Sequence, residues 1–256
     1  MSFSLQESDH RRDTQFNCFS PPVMLATIIT EVCLALYTVW RYKMSHLTRL
    51  ITLTLVALAT FQVAEFFVCT GFGLRGEMWS RIGFVAITTL PPLGIHLMHV
   101  LGNKPQRKMV VVAYASMAAF IGFFTFYSQA FTSYQCTGNY VIFQLHTSSG
   151  GIYGAYYYGW LLTGLILGAR WADQYLKDGK KSLMRLETVR ALMVGWLVFL
   201  VPTAIANTVN PATRAGIPSV MCGFAVLFAL ILVLYIVPRV AEVRTATLAT
   251  RPKARS

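Results

Sequence analysis

Charge is what this sequence has least of. Asp, Glu, Lys and Arg make up 12% of its 256 residues, about half the share usual in a soluble domain. Hydrophobic residues make up 55%. A water-soluble globule cannot cover that much apolar surface with so few charges, so that class is excluded. Long polar tracts, a Gly-X-Y period and dense cysteines are also missing, which excludes disorder, collagen and a disulfide-rich secreted scaffold. No tandem repeat or low-complexity segment occurs. There is no Walker A loop, dinucleotide fingerprint, Gly-x-Ser-x-Gly or His-Glu-x-x-His. Without Cys-x-x-Cys or a Cys/His cluster, no metal site is expected. No cofactor and no enzymatic activity are expected either.

What is there is long apolar runs. A bilayer core takes about 20 apolar residues per helix, and seven stretches of that kind can be read: Pro21–Tyr42, Leu47–Thr70, Trp79–Leu101, Met109–Phe131, Gly151–Trp171, Val189–Thr208 and Ile217–Pro238. The expected fold is all-α, a polytopic seven-transmembrane helix bundle. Residues 1–20 form a polar segment with no cleavable signal peptide, 21–238 the bundle, and 239–256 a basic tail. The first span is expected to serve as the targeting signal.

Lys and Arg orient the bundle. The Trp40–Leu50, Gly102–Lys108 and Arg170–Arg190 loops and the tail together carry 17, and the opposite side carries 5. This predicts an N-terminus outside, a C-terminus in the cytoplasm, and a multi-pass protein of the cell membrane. The net charge of +12 is then explained by the lipid bilayer as partner. Its anionic head groups on the cytoplasmic side attract each nearby cation by roughly 1 kcal/mol, and no nucleic acid is implied.

Ionisable groups within a span cost roughly 3 kcal/mol and mark functional candidates. Glu31 lies near mid-membrane in the first span, on one helical face with Thr27 and Thr38. Glu65 lies in the outer third of the second span, on a stripe with Gln62 and Cys69. Arg81 opens the third span at a similar depth, and a Glu65–Arg81 ion pair is expected. Both glutamates can equally serve as interhelical hydrogen-bonding groups. His96 and His99 are one turn apart on a single helix, so they cannot flank a haem iron. Pro91–Pro92 and Pro202 kink the third and sixth spans.

The fifth span opens GGIYGAYYYGW. Successive helix positions point about 100° apart, so its tyrosines cannot all join an aromatic belt facing lipid. Tyr153, Tyr157 and Trp160, with Glu65, Arg81, Asn207 and Glu31, are the candidate lining of an outward-opening amphipathic pocket. Gly159, Gly164 and Gly168 suit close helix contact. Of the five cysteines, Cys33 and Cys222 fall within spans. Cys18, Cys69 and Cys136 fall on the outer, oxidising side. A Cys69–Cys136 disulfide would pin the outer loop over the bundle mouth, with Cys18 as the competing partner.

Seven spans with an outside N-terminus invite two comparisons that fail. Retinal proteins need a lysine in the seventh span, and IPSVMCGFAVLFALILVLYIVP has none. G-protein-coupled receptors carry an Asp/Glu-Arg-Tyr-like motif ending the third span, and here that span ends HLMHVLGN. A different family is closer. The late glutamate in ATFQVAEFFVC, the proline run in TTLPPLGIHLMHVL, the polar outer turn of FLVPTAIANTVNP and the basic exit of the seventh span resemble the N-terminal seven-transmembrane sensor region of bacterial histidine kinases. The likeness covers about residues 21–240. It departs where a kinase would follow, since 18 residues after Pro238 leave no room for a catalytic domain. The resemblance implies a free-standing sensor or receptor-like module that binds a small ligand and signals through a cytoplasmic or membrane partner. The Arg170–Arg190 loop and tail would be its output surface. A structural or assembly subunit of a membrane complex, and a small-molecule transporter, are the alternative readings.

Overall fold

The computed structural model describes residues 21–104, 107–127, 129–136, 141–145 and 147–241. The chain is mostly helical. Helices α1 (Pro21–Arg41), α2 (His46–Thr70), α3 (Gly76–Thr88), α4 (Leu90–Gly102) and α5 (Arg107–Phe126) lead into a hairpin of β1 (Phe131–Cys136) and β2 (Val141–Leu145). Then come α6 (Thr147–Lys177), α7 (Leu183–Val209) and α8 (Ile217–Leu230), and α8 runs on through a π-helical turn at Ile231–Ile236. Among the described residues, six helices are long and apolar enough to cross a membrane, with α3 and α4 counting as one of 27 residues. The protein is therefore a multi-pass, membrane-compatible helical bundle. The fifth apolar stretch of the sequence lies inside α6. That helix has 31 residues, but its Gly- and Tyr-rich first half dilutes its hydropathy.

The hairpin is a departure from the all-α expectation. Its strands pair antiparallel, with Cys136 opposite Val141 and Tyr134 opposite Phe143. Residues of VIFQL alternate between core and surface, with Val141 and Phe143 buried. That alternation has the two-residue period of a strand.

The third span bends where the prolines demand it. Pro91 and Pro92 bring no N–H, so the carbonyls four residues earlier lose their helical donors. Helix α3 ends at Thr88, and α4 starts at Leu90 with proline in its first turn. The freed Thr88 carbonyl is not left bare, because the Tyr156 hydroxyl donates to it at 2.7 Å. A neighbouring helix thus re-satisfies the backbone of a broken one.

Glycines set how closely the helices approach. A β-carbon on Gly94 would stand 2.9 Å from Trp196, and one on Gly164 would collide with the same ring. Gly168 closes on Met193 and Gly102 on Trp171, whereas Gly159 faces open space and makes no close contact. At the basic end, α6 continues to Lys177, where Asp173 holds the ammonium at 2.7 Å and raises its pKa. A turn with left-handed Gly179 then starts α7. Glu187 on α7 pairs with Arg239 past the end of α8.

Candidate functional site

A disulfide joins Cys69, at the end of α2, to Cys136, at the end of β1. Cys18 lies outside the described residues. Directly opposite Cys136, the Val141 N–H donates to the Ser219 hydroxyl at the start of α8, at 3.3 Å. Two anchors on different helices therefore hold the hairpin across one end of the bundle.

Under the hairpin is a cavity of 590 Å³, within the size range of small-molecule sites. Ile142 and Gln144 of β2 form one wall, Phe84 and Ile87 of α3 another, and Met221 and Cys222 of α8 the floor. Helix α6 contributes Tyr153, Gly154, Tyr157 and Tyr158. The tyrosines take different roles because they point in different directions. Tyr153 is buried, with its hydroxyl 3.1 Å from Thr88 Oγ1. Tyr156 caps the broken helix, and Tyr158 donates to the Met221 sulfur at 3.4 Å. Trp160 does not join the cavity, because its indole N–H turns to Ser116 on α5, at 3.0 Å.

Arg214 also lines this cavity. Its Nε donates to the Asn207 carbonyl at 3.3 Å, and the Asn207 side chain accepts from Thr213 at 2.7 Å. Asn207 therefore positions the arginine rather than lining the space itself. The sequence reading uses Arg214 only as a topology charge. Its place within the 3-10 turn Pro211–Gly216, folded back over α7, is what brings it to the cavity.

The expected Glu65–Arg81 ion pair is not made. Arg81 bonds Glu77 one turn earlier on its own helix, at 2.8 Å, and reaches the Phe124 and Tyr127 carbonyls at 2.7 and 3.0 Å. A carboxylate one turn away is in easy reach. The carbonyls at the C-terminus of α5 lack helical donors and attract a cation. Arg81 thus fastens α3 to α5 and lies outside the cavity under the hairpin.

Glu31 and Glu65 are also absent from that cavity. They sit on the far side of α8, in a polar cluster among α1, α2 and α8. Thr27, Glu31 and Thr38 form the buried stripe of α1. Gln62 links the three helices: its amide N–H groups donate to Glu31 Oε1 at 3.1 Å and to the Cys222 carbonyl at 3.2 Å, and its oxygen accepts from Thr27. The sequence places Gln62 on the Glu65 stripe, but a neutral amide carries no sign of the two helices it links.

The histidines find local partners. His96 Nδ1 lies 3.0 Å from the Tyr114 hydroxyl, and His99 Nδ1 lies 2.8 Å from the Ile95 carbonyl. Among the described residues no group of three or more His, Cys, Asp or Glu side chains is placed to hold a metal ion.

No protein-family model matches the chain, and no curated protein is similar to it.

Proposed function

We propose that the chain is a seven-helix, receptor-like membrane protein that takes a small ligand into the cavity under the hairpin and signals through a partner at its basic end. The cavity carries this reading. It combines apolar walls, tyrosine hydroxyls and one cationic side chain, which is the make-up of a site for a small amphipathic molecule. Among the described residues the Arg214 side chain makes one hydrogen bond, through Nε. Its terminal NH groups stay available for a carboxylate or similar anion.

In this reading α6 also crosses, fifth in chain order, which brings the six spans to seven, and the hairpin faces outward. Two independent features support that orientation. The disulfide suits an oxidising compartment, and the lysines and arginines gather at the opposite end. The proline-broken α3–α4 span borders the cavity at Phe84 and Ile87. It is the element on which a ligand would act, since Tyr153 of the cavity wall bonds Thr88 at its break, beside Tyr156.

Thermal unfolding of the detergent-purified protein tests the site. Medium-chain and aromatic carboxylates are compared with their uncharged amides. At least one carboxylate should raise the midpoint saturably. Met221→Trp, which fills the floor, should abolish the effect. Arg214→Ala should remove the preference for acid over amide while leaving the fold intact. A flat response of the wild-type protein across the panel would contradict the proposal.

A further inference from the structure

A cavity of 470 Å³ lies between α4 and α5 at the basic end of the bundle. His96, His99, Asn103, Lys104 and Arg107 form its polar wall, and no carboxylate lines it. Among the described residues none pairs with Lys104 or Arg107 either. The Lys104 ammonium lies 3.4 Å from the Gln174 amide oxygen and 5.9 Å from the Tyr175 ring. Both neighbours are neutral, and an ammonium has three donors, so its charge stays uncompensated.

The acceptors that would repel an anion here are closed off. At the end of α4 the His99 and Val100 carbonyls accept from the Lys104 and Asn103 N–H groups, at 3.1 and 3.2 Å. The Gly102 carbonyl accepts from the Tyr175 hydroxyl at 2.5 Å. Helix α5 starts at Arg107, and the first N–H groups of a helix lack helical partners and favour negative charge. His99 adds one acceptor of its own. It is 5% exposed, and its Nδ1 lies 2.8 Å from the Ile95 carbonyl. A carbonyl only accepts, so Nδ1 carries the proton and Nε2 of the neutral ring is an acceptor. That Nε2 is buried without a partner.

The rest of the lining is apolar and runs onto the outside of the bundle. Val100, Val110 and Val111 complete it, and Val111 is 63% exposed. Along its 20 residues α5 buries Ala113 and Phe124 alone. A basic cavity that opens onto an exposed apolar helix face matches one molecule with both an anionic head and a hydrocarbon chain. A free phosphate would leave that face unused.

We propose that this cavity holds the headgroup of an anionic phospholipid. Lys104 and Arg107 bind the phosphate, His99 accepts a headgroup hydroxyl, and an acyl chain lies along α5. The site is at the opposite end from the cavity under the hairpin and rests on no ligand there.

The test adds lipid to the full chain, purified and delipidated in detergent, and follows the unfolding midpoint, which a ligand of the folded state raises. Dioleoylphosphatidylglycerol should raise it saturably. Dioleoylphosphatidylcholine, with the same chains but a cationic group on its head, should not. In Lys104→Gln/Arg107→Gln the half-maximal phosphatidylglycerol concentration should rise at least about tenfold, the usual weight of a hydrogen bond to a charged group. His99→Phe, which keeps a ring against Trp171, should raise it about threefold. Lys104 and Arg107 support no ion pair, so the double variant keeps the test decisive where His99→Phe fails to fold. Arg49 is an exposed cation at the same end that does not line the cavity, and Arg49→Gln should respond as wild type. Equal midpoints with the two lipids, or an equal loss in Arg49→Gln, would overturn the site. An undiminished response in Lys104→Gln/Arg107→Gln would overturn its location, and wild-type affinity in His99→Phe would overturn the hydroxyl contact. A shift by inorganic phosphate matching that by phosphatidylglycerol would overturn the lipid as occupant.

Discussion

Trp196→Ala should be among the most damaging single substitutions in this protein, lowering stability by about 3 kcal/mol and the unfolding midpoint in detergent by several degrees. The indole is 2% exposed. Its ring fills the space left by two glycines on different helices, Gly94 on α4 and Gly164 on α6. Between helices in lipid there is little hydrophobic driving force, because acyl chains are as apolar as leucine. Close packing therefore carries the association, and its loss is not offset by lipid, which cannot enter a sealed interior gap. The cavity left behind is the dominant cost. Trp196→Phe should retain much of the stability, and Gly164→Leu should approach the alanine variant through overpacking. A wild-type midpoint for Trp196→Ala would show that α4, α6 and α7 do not meet on this ring.

Gln62→Leu should cost a comparable amount, about 3 kcal/mol, for an electrostatic reason. Removing the amide strips Glu31 Oε1 of its donor and takes the second hydrogen bond from the Cys222 carbonyl, which keeps its helical one. A buried group that loses its partner bears its full desolvation penalty, whereas removing both partners together is far milder. The double variant Gln62→Leu/Glu31→Leu should therefore recover much of the loss. The coupling in the four-member cycle should exceed about 1 kcal/mol, well above the error for independent sites. Additive effects would mean that Gln62 and Glu31 are not joined as described.

The particular residues explain what the sequence could and could not disclose. Apolar runs and helix periodicity are dictated by covalent geometry and the length of a span, so the helices and the buried Thr27–Glu31–Thr38 stripe were readable. The cysteines expected on the outer side could be counted, but only the fold selects Cys136 as the partner of Cys69. The hairpin was not readable, because two short alternating runs carry little signal inside a loop of a helical chain. Arg81 was assigned to the wrong carboxylate. Depth along the membrane suggested Glu65, while helix pitch and the open carbonyls of α5 favoured Glu77, Phe124 and Tyr127. Of the expected pocket residues, Tyr153 and Tyr157 line the cavity. Trp160, Arg81, Glu31, Glu65 and Asn207 do not; the Trp160 indole turns to Ser116, Arg81 reaches α5, Glu31 meets Gln62, and Asn207 is bonded by Thr213 in the turn that follows its helix. Arg214 counts in the sequence only as a loop cation, and Gln62 only as a neutral amide on the Glu65 stripe. Sidedness along the bilayer is visible in a sequence; direction around a helix axis relative to other helices is much less so.

Single cysteines placed at Gln144 in the hairpin, Lys104 beyond α4 and Asp178 beyond α6 measure the arrangement most directly. Intact cells are treated with a membrane-impermeant maleimide before and after permeabilisation. The account predicts that Gln144→Cys reacts from outside, while Lys104→Cys and Asp178→Cys react only once the membrane is opened. Labelling of Gln144→Cys and Asp178→Cys from the same side would mean that α6 does not cross the bilayer, and would contradict the seven-span receptor-like architecture.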